Sequence, residues 1–327
     1  MQFVHTMIHT VLGKILGLMG LAAMLLVSCD TTEDSVPSVE QTYLFWTSAS
    51  DHAILRATLD VTTGDAVHID TLYTAVDGVF SPASIVVDED AAILYWADYG
   101  TGDIVRASAL GQGPMDILYT VSAEMPGPVG LTLDEGQQRL YWTQPWNDLI
   151  LGAPASVGGI VDTVLSAANG VDGGWGVALQ AAAGSLYWVE YLDIELNRTW
   201  LDGAGVVQTL YAGGSGFLRP FSVTVQGDAL YIVDNPLPGT ALPDRILRGD
   251  AGGATPLTTL YDVDVDNAYA LAIDTRRDML YWVNQLDDGS IWRGPIRGGT
   301  TPVKVIDRVR LGQGLAVATL RIKSSAL

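Results

Sequence analysis

Residues able to bind a metal or to transfer protons are few in this chain, and their densest group is one short acidic run. Asp262, Asp264 and Asp266 stand at alternate positions, and carboxylate oxygens are the ligands that Ca²⁺ prefers. The run departs from the EF-hand loop, because Asn267 stands where that loop needs glycine and Ile273 where it needs glutamate. An acidic strand end that faces solvent explains the same pattern. We therefore expect no cofactor, with calcium at these three aspartates as the alternative.

Nucleophilic and acid–base catalysis find little support elsewhere in the sequence. Only two of the four histidines, His52 and His68, lie beyond the first 28 residues. Cys29 is the single cysteine, and the chain contains neither Gly-x-Ser-x-Gly nor His-Glu-x-x-His. This scarcity favours a protein that binds a ligand without transforming it.

The elements that must position any functional side chain are six copies of one pattern. In its clearest copy, an apolar and aromatic strand around Tyr95-Trp96 is followed by a Gly/Asp turn and by a second strand that reaches Arg106. Strand-rich repeats of 44 to 50 residues are typical of propellers, with one blade per repeat. The sequence predicts an all-β, six-bladed β-propeller of four-stranded antiparallel blades over residues 42–327. The aromatic pairs begin at Phe45, Tyr95, Tyr141, Tyr187, Tyr231 and Tyr281.

The way the ring closes can also be predicted from the repeats. The first copy has no inner strand before its aromatic strand at 43–46. At the other end of the chain, 312–318 matches the inner-strand pattern but has no aromatic strand after it. A C-terminal strand that joins the N-terminal blade would supply the inner strand that the first copy lacks, and it would leave no exposed strand edge.

The first 41 residues lie outside the repeats. Residues 1–28 contain the apolar run Ile15–Val27, whose 13 residues are too few to span a bilayer and are typical of a signal peptide. Cys29 directly follows Leu26-Val27-Ser28, and this junction resembles a bacterial lipoprotein signal with Cys29 as the lipidated residue. A plain secretory signal is the alternative. Residues 29–41 are acidic and predict a flexible tether, so we expect a lipid-anchored protein on the periplasmic or cell-surface face of a bacterial envelope.

Charge excludes two classes of partner. The formal net charge is −20 and the isoelectric point is about 4.2. Nucleic acids and anionic membrane surfaces both attract a basic footprint, which this chain lacks. Membrane contact is therefore expected only through the lipid on Cys29, and we expect a monomer.

The repeats resemble the YWTD repeats of low-density lipoprotein receptor-type six-bladed propellers. In that pattern an inner strand ending in Asp precedes Tyr-Trp-Thr-Asp, and Ile-x-Arg and Leu-Asp-Gly follow. Here Asp98 and Asp234 keep the final Asp, and the arginine occurs in five copies and is replaced by Gly152 in the third. The aromatic pairs are expected to pack between blades, and the arginines to form ion pairs or carbonyl contacts between blades.

Ligand-binding residues are expected in the loops on one rim of the propeller, because loops vary between repeats while the repeated positions are structural. The prediction is a membrane-anchored, non-catalytic binding module for a protein, peptide or glycan. A metal-dependent propeller hydrolase or lyase, lactonase-like in type, is the alternative, with ligands from 169–173 and 234–235. The candidate ligand-binding residues are Tyr99, Trp146, Trp175, Tyr191, Phe217, Arg219 and Tyr269.

Overall fold

Each aromatic repeat folds as the second strand of a four-stranded antiparallel sheet, which confirms the predicted fold. The computed structural model of the protein describes residues 38–121, 127–214, 216–236, 242–286 and 288–323. The predicted signal peptide, Cys29 and the predicted tether up to residue 37 lie outside these residues. The first strand begins at Ser38 and so includes residues 38–41, which the sequence assigned to the tether.

The described residues form six sheets, each of which is one blade. Blades 1 to 3 contain, in chain order, β1 (Ser38–Ser48), β2 (Ala53–Leu59), β3 (Ala66–Tyr73), β4 (Pro82–Asp88), β5 (Ile93–Asp98), β6 (Asp103–Ser108), β7 (Asp116–Thr120), β8 (Leu131–Asp134), β9 (Arg139–Gln144), β10 (Leu149–Pro154) and β11 (Asp162–Leu165). Blades 4 to 6 contain β12 (Gly174–Gln180), β13 (Ser185–Glu190), β14 (Glu195–Trp200), β15 (Val207–Tyr211), β16 (Pro220–Gln226), β17 (Ala229–Asp234), β18 (Arg245–Asp250), β19 (Thr258–Tyr261), β20 (Ala268–Asp274), β21 (Met279–Asn284), β22 (Ser290–Pro295) and β23 (Val303–Asp307).

The last strand, β24 (Gly312–Lys323), lies beside β1 and supplies the inner strand of blade 1, as the repeats predict. Residues 40–321 form the compact unit that holds the blades. The chain ends form a second unit, of which the structure describes only 38–39 and 322–323. Within the described ranges, no helix is long and apolar enough to cross a membrane.

The repeated aromatic residues pack between blades, which confirms their predicted role. Trp96 of blade 2 is fully buried, and its ring stacks on Tyr73 of blade 1 with the ring centres 5.9 Å apart. The same stack joins blade 2 to blade 3 through Tyr119 and Trp142, and blade 5 to blade 6 through Tyr261 and Trp282. A tyrosine on the fourth strand of one blade thus contacts the tryptophan of the next blade.

Three of the five repeated arginines, Arg56, Arg198 and Arg293, make contacts across blade boundaries. Arg56 donates to the Ala109 carbonyl oxygen of blade 2 at 3.1 Å and pairs with Asp70 of its own blade. Arg293 of blade 6 pairs with Asp65 of blade 1, across the point where the ring closes. Arg106 instead pairs with Asp116 of its own blade, and Arg248 is exposed, so the predicted contacts between blades are confirmed for three of the five arginines.

Blade 3 replaces the missing arginine with one from the neighbouring strand. Arg139 on β9 pairs with Asp162 at 2.7 Å, and its guanidinium lies 5.6 Å from the centre of the Tyr141 ring. A Cβ atom at Gly152 would lie 3.1 Å from a guanidinium nitrogen of Arg139. Glycine at this position therefore leaves the space that Arg139 occupies.

In five blades the residue that ends the second strand binds the loop that leads into the same blade, within the described residues. The Asp98 carboxylate accepts hydrogen bonds from the backbone N–H groups of Phe80 and Ser81, just before β4. Asp234 accepts from Leu218 and Arg219 in the same way. These loops, together with the turns between second and third strands, lie at the end of the propeller where the inner strands begin. We call this end the upper face.

Candidate functional site

A cavity of about 310 Å³ lies between the inner strands of all six blades. Its walls are the small and aliphatic residues of β4, β8, β12, β16, β20 and β24. At its lower end it reaches Glu89 and Glu135, and burial raises the pKa of both carboxyl groups. At its upper end it is lined by the rings of Trp175, Phe221 and Tyr269.

Four aromatic rings surround the upper opening of this cavity. The ring of Tyr191 lies 5.9 Å from Trp175 and 5.2 Å from Phe221, centre to centre. Phe221 in turn lies 5.4 Å from Tyr269 and meets the Trp175 ring edge-on. We call these four residues the aromatic mouth. Because each ring touches the next, they form one continuous surface from blade 4 to blade 6.

Local irregularities of the strands direct three of these rings to the mouth. Trp175, Phe221 and Tyr269 are each the second residue of an inner strand. In all three strands the pairing with the second strand shifts by one residue at that point. A bulge of this kind changes the direction of a side chain, so the ring escapes the regular alternation of the strand.

Arg219 completes the mouth. Its guanidinium lies 4.9 Å from the centre of the Phe221 ring and 5.7 Å from that of Tyr191. Its backbone is held in place, because its N–H donates to Asp234 at 2.7 Å and its carbonyl oxygen accepts from the N–H of Asn235. The side-chain Nε is buried and makes no hydrogen bond. A cation over aromatic faces is held by ring electrostatics, which leaves its N–H groups available.

Two groups near the mouth have altered acidity. Burial raises the pKa of the Tyr269 hydroxyl to about 12, and the neighbouring Tyr99 and Tyr191 oppose its ionisation further. The indole N–H of Trp175 is close enough to lower this pKa but lies outside hydrogen-bond geometry. Burial also raises the pKa of Asp244, whose carboxylate accepts the Asn267 N–H at 2.7 Å and lies within electrostatic range of Arg219.

Four of the seven predicted rim residues come together at this mouth, and Tyr99 lies within electrostatic range of it; the four are Trp175, Tyr191, Arg219 and Tyr269. Trp146 also lies on the upper face, in the turn Pro145–Asn147, where it is 53% exposed and makes no ring contact with the mouth. Its part in ligand binding stays a prediction.

The prediction for Phe217 needs a correction. This side chain is 0% exposed and packs among Tyr187 and Val189 of blade 4 and Leu230 and Ile232 of blade 5. The loop before β16 folds its one large apolar ring inward, because burial between two blades removes more apolar surface from water than the rim would. Phe217 is therefore a core residue and cannot contact a ligand.

Sequence reasoning did not single out Phe221 or Asp244. Phe221 follows Trp175 by 46 residues and precedes Tyr269 by 48, so its position in the repeat was the available signal. Phe221 was not recognised as a site residue because the residues around it fit a regular inner strand. Asp244 gave no such signal, since it lies in the insert that only blade 5 carries.

The predicted calcium ligands lie on the loop between β19 and β20. Asp262 and Asp266 are exposed, and the backbone carbonyl oxygen of Asp264 accepts from Trp282 and Asn284 at 3.1 and 3.0 Å. Across the described residues, no three His, Cys, Asp or Glu side chains are grouped so that they could hold a metal ion. Calcium at Asp262, Asp264 and Asp266 stays a prediction.

Around the mouth, the upper face combines apolar side chains with acidic ones. Exposed large apolar side chains stand in the loops of several blades, among them Phe80, Trp146, Leu192, Val263, Leu286 and Leu311. Exposed basic residues in these loops, within the part of the chain described, are Arg308 and Arg310. Exposed aspartates are more numerous: Asp51, Asp77, Asp172, Asp193, Asp262, Asp266 and Asp288. The face is therefore apolar and negatively charged.

Glu190, at the end of β13, has the most perturbed carboxyl group near this face. It is 1% exposed and accepts hydrogen bonds from the Trp188 indole N–H at 2.8 Å and the Asp172 N–H at 3.2 Å. Burial outweighs these bonds and raises its pKa to about 7. Glu190 is not among the residues that line the axial cavity, so its role is to fasten the loop before β12.

Replacing Glu190 should change how stability depends on pH. Since its folded pKa lies above the ordinary value of 4.5, the stability that the protonated group contributes is lost as pH rises through about 7. Glu190→Gln keeps the acceptor oxygen, and blade 3 already has Gln144 at the equivalent position. We expect the variant to exceed the parent at pH 8 by up to about 3 kcal/mol and to equal it at pH 4. Thermal unfolding at both pH values measures this, and an equal difference at both would contradict it.

Comparison with known proteins places the fold. No protein-family profile matches the sequence, and no curated protein matches it either. Among solved structures, the nidogen/laminin complex contains a chain that is 17% identical, with a TM-score of 0.68, covering 85% of this chain and 98% of that one. Virginiamycin B lyase from Staphylococcus aureus is 14% identical, with a TM-score of 0.54, covering 84% and 90%. At these identities the likeness shows a shared fold: this chain is a six-bladed β-propeller similar to both.

Proposed function

We propose that this protein is a binding module that holds a protein, peptide or glycan ligand on its upper face, with the aromatic mouth at the centre of the contact. The observation that carries the proposal is the convergence of Trp175, Tyr191, Phe221 and Tyr269 with Arg219 at one opening. Aromatic and arginine side chains dominate binding energy at recognition surfaces, because they bury a large area and still offer polar contacts.

The repeated residues and the residues of the mouth have different roles, and this difference supports the same function. The repeated tryptophans, and the repeated Arg56 and Arg293, form contacts between blades. The mouth is built instead from residues that differ from blade to blade, on a scaffold that holds them rigidly. The exposed apolar side chains around it extend the surface that a large ligand would cover.

The nidogen structure, solved in a complex with laminin, supports a protein or peptide as the ligand. The resemblance to YWTD repeats points the same way.

We further propose that Cys29 is lipidated and that residues 30–37 tether the propeller to a bacterial envelope membrane, on the strength of the Leu-Val-Ser-Cys junction. Mass spectrometry of the mature N-terminus tests this, and an unmodified Cys29 would refute it.

Removing a ring of the mouth should weaken binding without unfolding the protein. Purified protein is tested on arrays of defined peptides and glycans, and ligands found there are titrated. We expect Trp175→Ala and Tyr191→Ala each to weaken binding at least about tenfold, because buried aromatic anchors contribute most of the affinity. Trp200→Ala is the matched control, since Trp200 lies at the opposite end of β14, where Arg198 covers its ring at 4.4 Å.

If both mouth variants still bind the ligand as the parent does, the ligand binds elsewhere on the protein and the proposal is contradicted. Opening of lactones by the purified protein, lost when a chelator is added, would replace it with the hydrolase alternative. Melting curves of all three variants show whether any loss of binding follows from loss of the fold.

A further inference from the structure

We propose that Arg219 makes the aromatic mouth a receptor for a carboxylate, and that this carboxylate is the free C-terminus of a peptide whose last side chain is apolar or aromatic. The inference rests on the proposed function, since it names the ligand of the same surface. It depends on three features of the described residues: an arginine that makes no ion pair with any of them, a continuous set of rings, and an acidic surround.

Arg219 differs from the other half-buried or buried arginines in the described ranges. Arg245, on the same blade, is paired with Asp234 at 2.7 Å, and Arg277 with Asp274 at 2.6 Å. The Arg219 guanidinium has no ion pair and no hydrogen bond to any described residue. Asp244 lies nearby, but its carboxylate is engaged by the Asn267 N–H. The Arg219 Nε–H is buried and has no acceptor among the described residues, which is an unfavourable arrangement unless a ligand supplies one.

The planar shape of the Arg219 guanidinium favours a carboxylate as its ligand. A guanidinium presents its N–H groups as a planar fork, and a carboxylate accepts from two of them at once. The guanidinium lies over the rings of Phe221 and Tyr191, and this contact leaves its N–H groups for a ligand. A ligand bound there would lie close to the rings of Trp175 and Tyr269, since both contact the Phe221 ring. An apolar or aromatic side chain next to the carboxylate would fill this space.

The surrounding charge selects among carboxylate ligands. Exposed aspartates are set around the upper face, and the whole chain carries a net charge of −20. A polyuronate has a carboxylate on every sugar and would be repelled by this field. A peptide has one terminal carboxylate, and basic residues before it would be attracted by the same aspartates. The acidic surround therefore favours a peptide C-terminus preceded by Lys or Arg.

The test compares two peptides that differ only in the terminal group. Lys-Lys-Gly-Phe is prepared with a free carboxylate and with a C-terminal amide, and each is titrated against the full-length protein by calorimetry. We expect the free acid to bind the parent at least about tenfold more tightly than the amide, because a charge-assisted hydrogen-bonded pair is lost in the amide. In Arg219→Gln this ratio should fall to near one.

Two further variants separate the anion contact from general effects. Arg248→Gln removes an exposed arginine of β18 and should leave the ratio unchanged. Arg219→Lys keeps the charge without the fork and should give an intermediate ratio. Melting curves confirm that the variants are folded.

Three results would overturn the inference. If acid and amide bind equally, and both are lost in Tyr191→Ala, the proposed function stands and the carboxylate inference falls. If trigalacturonate binds the parent more tightly than the acid peptide, the ligand is a glycan acid and the peptide assignment is wrong. If none of the three probes binds, the inference falls, and the arrays with the mouth variants decide the proposed function separately.

Discussion

A chain that ends at Leu311 should aggregate, or melt at least about 10 °C below the full-length protein. The deletion removes β24, which is the inner strand of blade 1. Leu315 and Leu320 on this strand are buried, and Gly314 donates its N–H to the Thr47 hydroxyl group at 2.8 Å. Without β24 the ring is open and β1 presents an unpaired edge, which is a template for association with other chains.

The control for this experiment is a chain that ends at Lys323, which keeps all of β24. Its melting temperature should equal that of the full-length protein. Thermal unfolding by circular dichroism and light scattering measure both properties. If the chain that ends at Leu311 stays monomeric and melts with the control, the closure of the ring is not what holds blade 1 in place.

Asp234→Ala should be the most destabilising single substitution at the loops of the upper face. The Asp234 carboxylate is fully buried, pairs with Arg245 through two nitrogen atoms, and accepts the N–H groups of Leu218 and Arg219. Removing it leaves two backbone donors without an acceptor and a buried guanidinium without its counter-ion, with only the Gly216 carbonyl oxygen still accepting from it among the described residues. The expected cost is about 3–5 kcal/mol, as for other broken buried ion pairs.

The matched control is Asp116→Ala, which breaks the pair between Arg106 and an Asp116 that is 47% exposed. Such exposed pairs contribute less than about 1 kcal/mol, so this variant should melt close to the parent. Because Asp234 also fixes the backbone of Arg219, binding at the mouth should weaken in Asp234→Ala even at temperatures where it is folded. Equal melting of the two variants would contradict the account of Asp234.

The residues at the end of the second strands show how the degenerate repeats keep one geometry. Position 98 keeps the aspartate of the pattern, while position 190 is glutamate and position 284 is asparagine. Each still contacts the loop that precedes its own inner strand: Glu190 accepts the Asp172 N–H, and Asn284 donates to the Asp264 carbonyl oxygen. The interaction is preserved while its chemistry changes.

The sequence alone determined the propeller, its six blades and the closure by the last strand. These features depend on a pattern that recurs six times, so an error in one copy does not alter the prediction. Each repeat buries the same aromatic positions against its neighbour, and that packing follows from apolar periodicity without knowledge of the rest of the fold. The structural role of the repeated arginines could be predicted for the same reason.

Only the tertiary structure decided which loop residues form the site. Phe217 and Trp175 are both aromatic and outside the repeat, yet one is buried between blades and the other lines the mouth. The direction of Phe221 depends on a one-residue shift in strand pairing, which the residue pattern does not reveal. Arg219 makes no ion pair with the described residues, and its guanidinium lies instead over rings that come from blades 4 and 5. Loop side chains are placed by contacts between distant parts of the chain, and the order of residues in one segment does not encode those contacts.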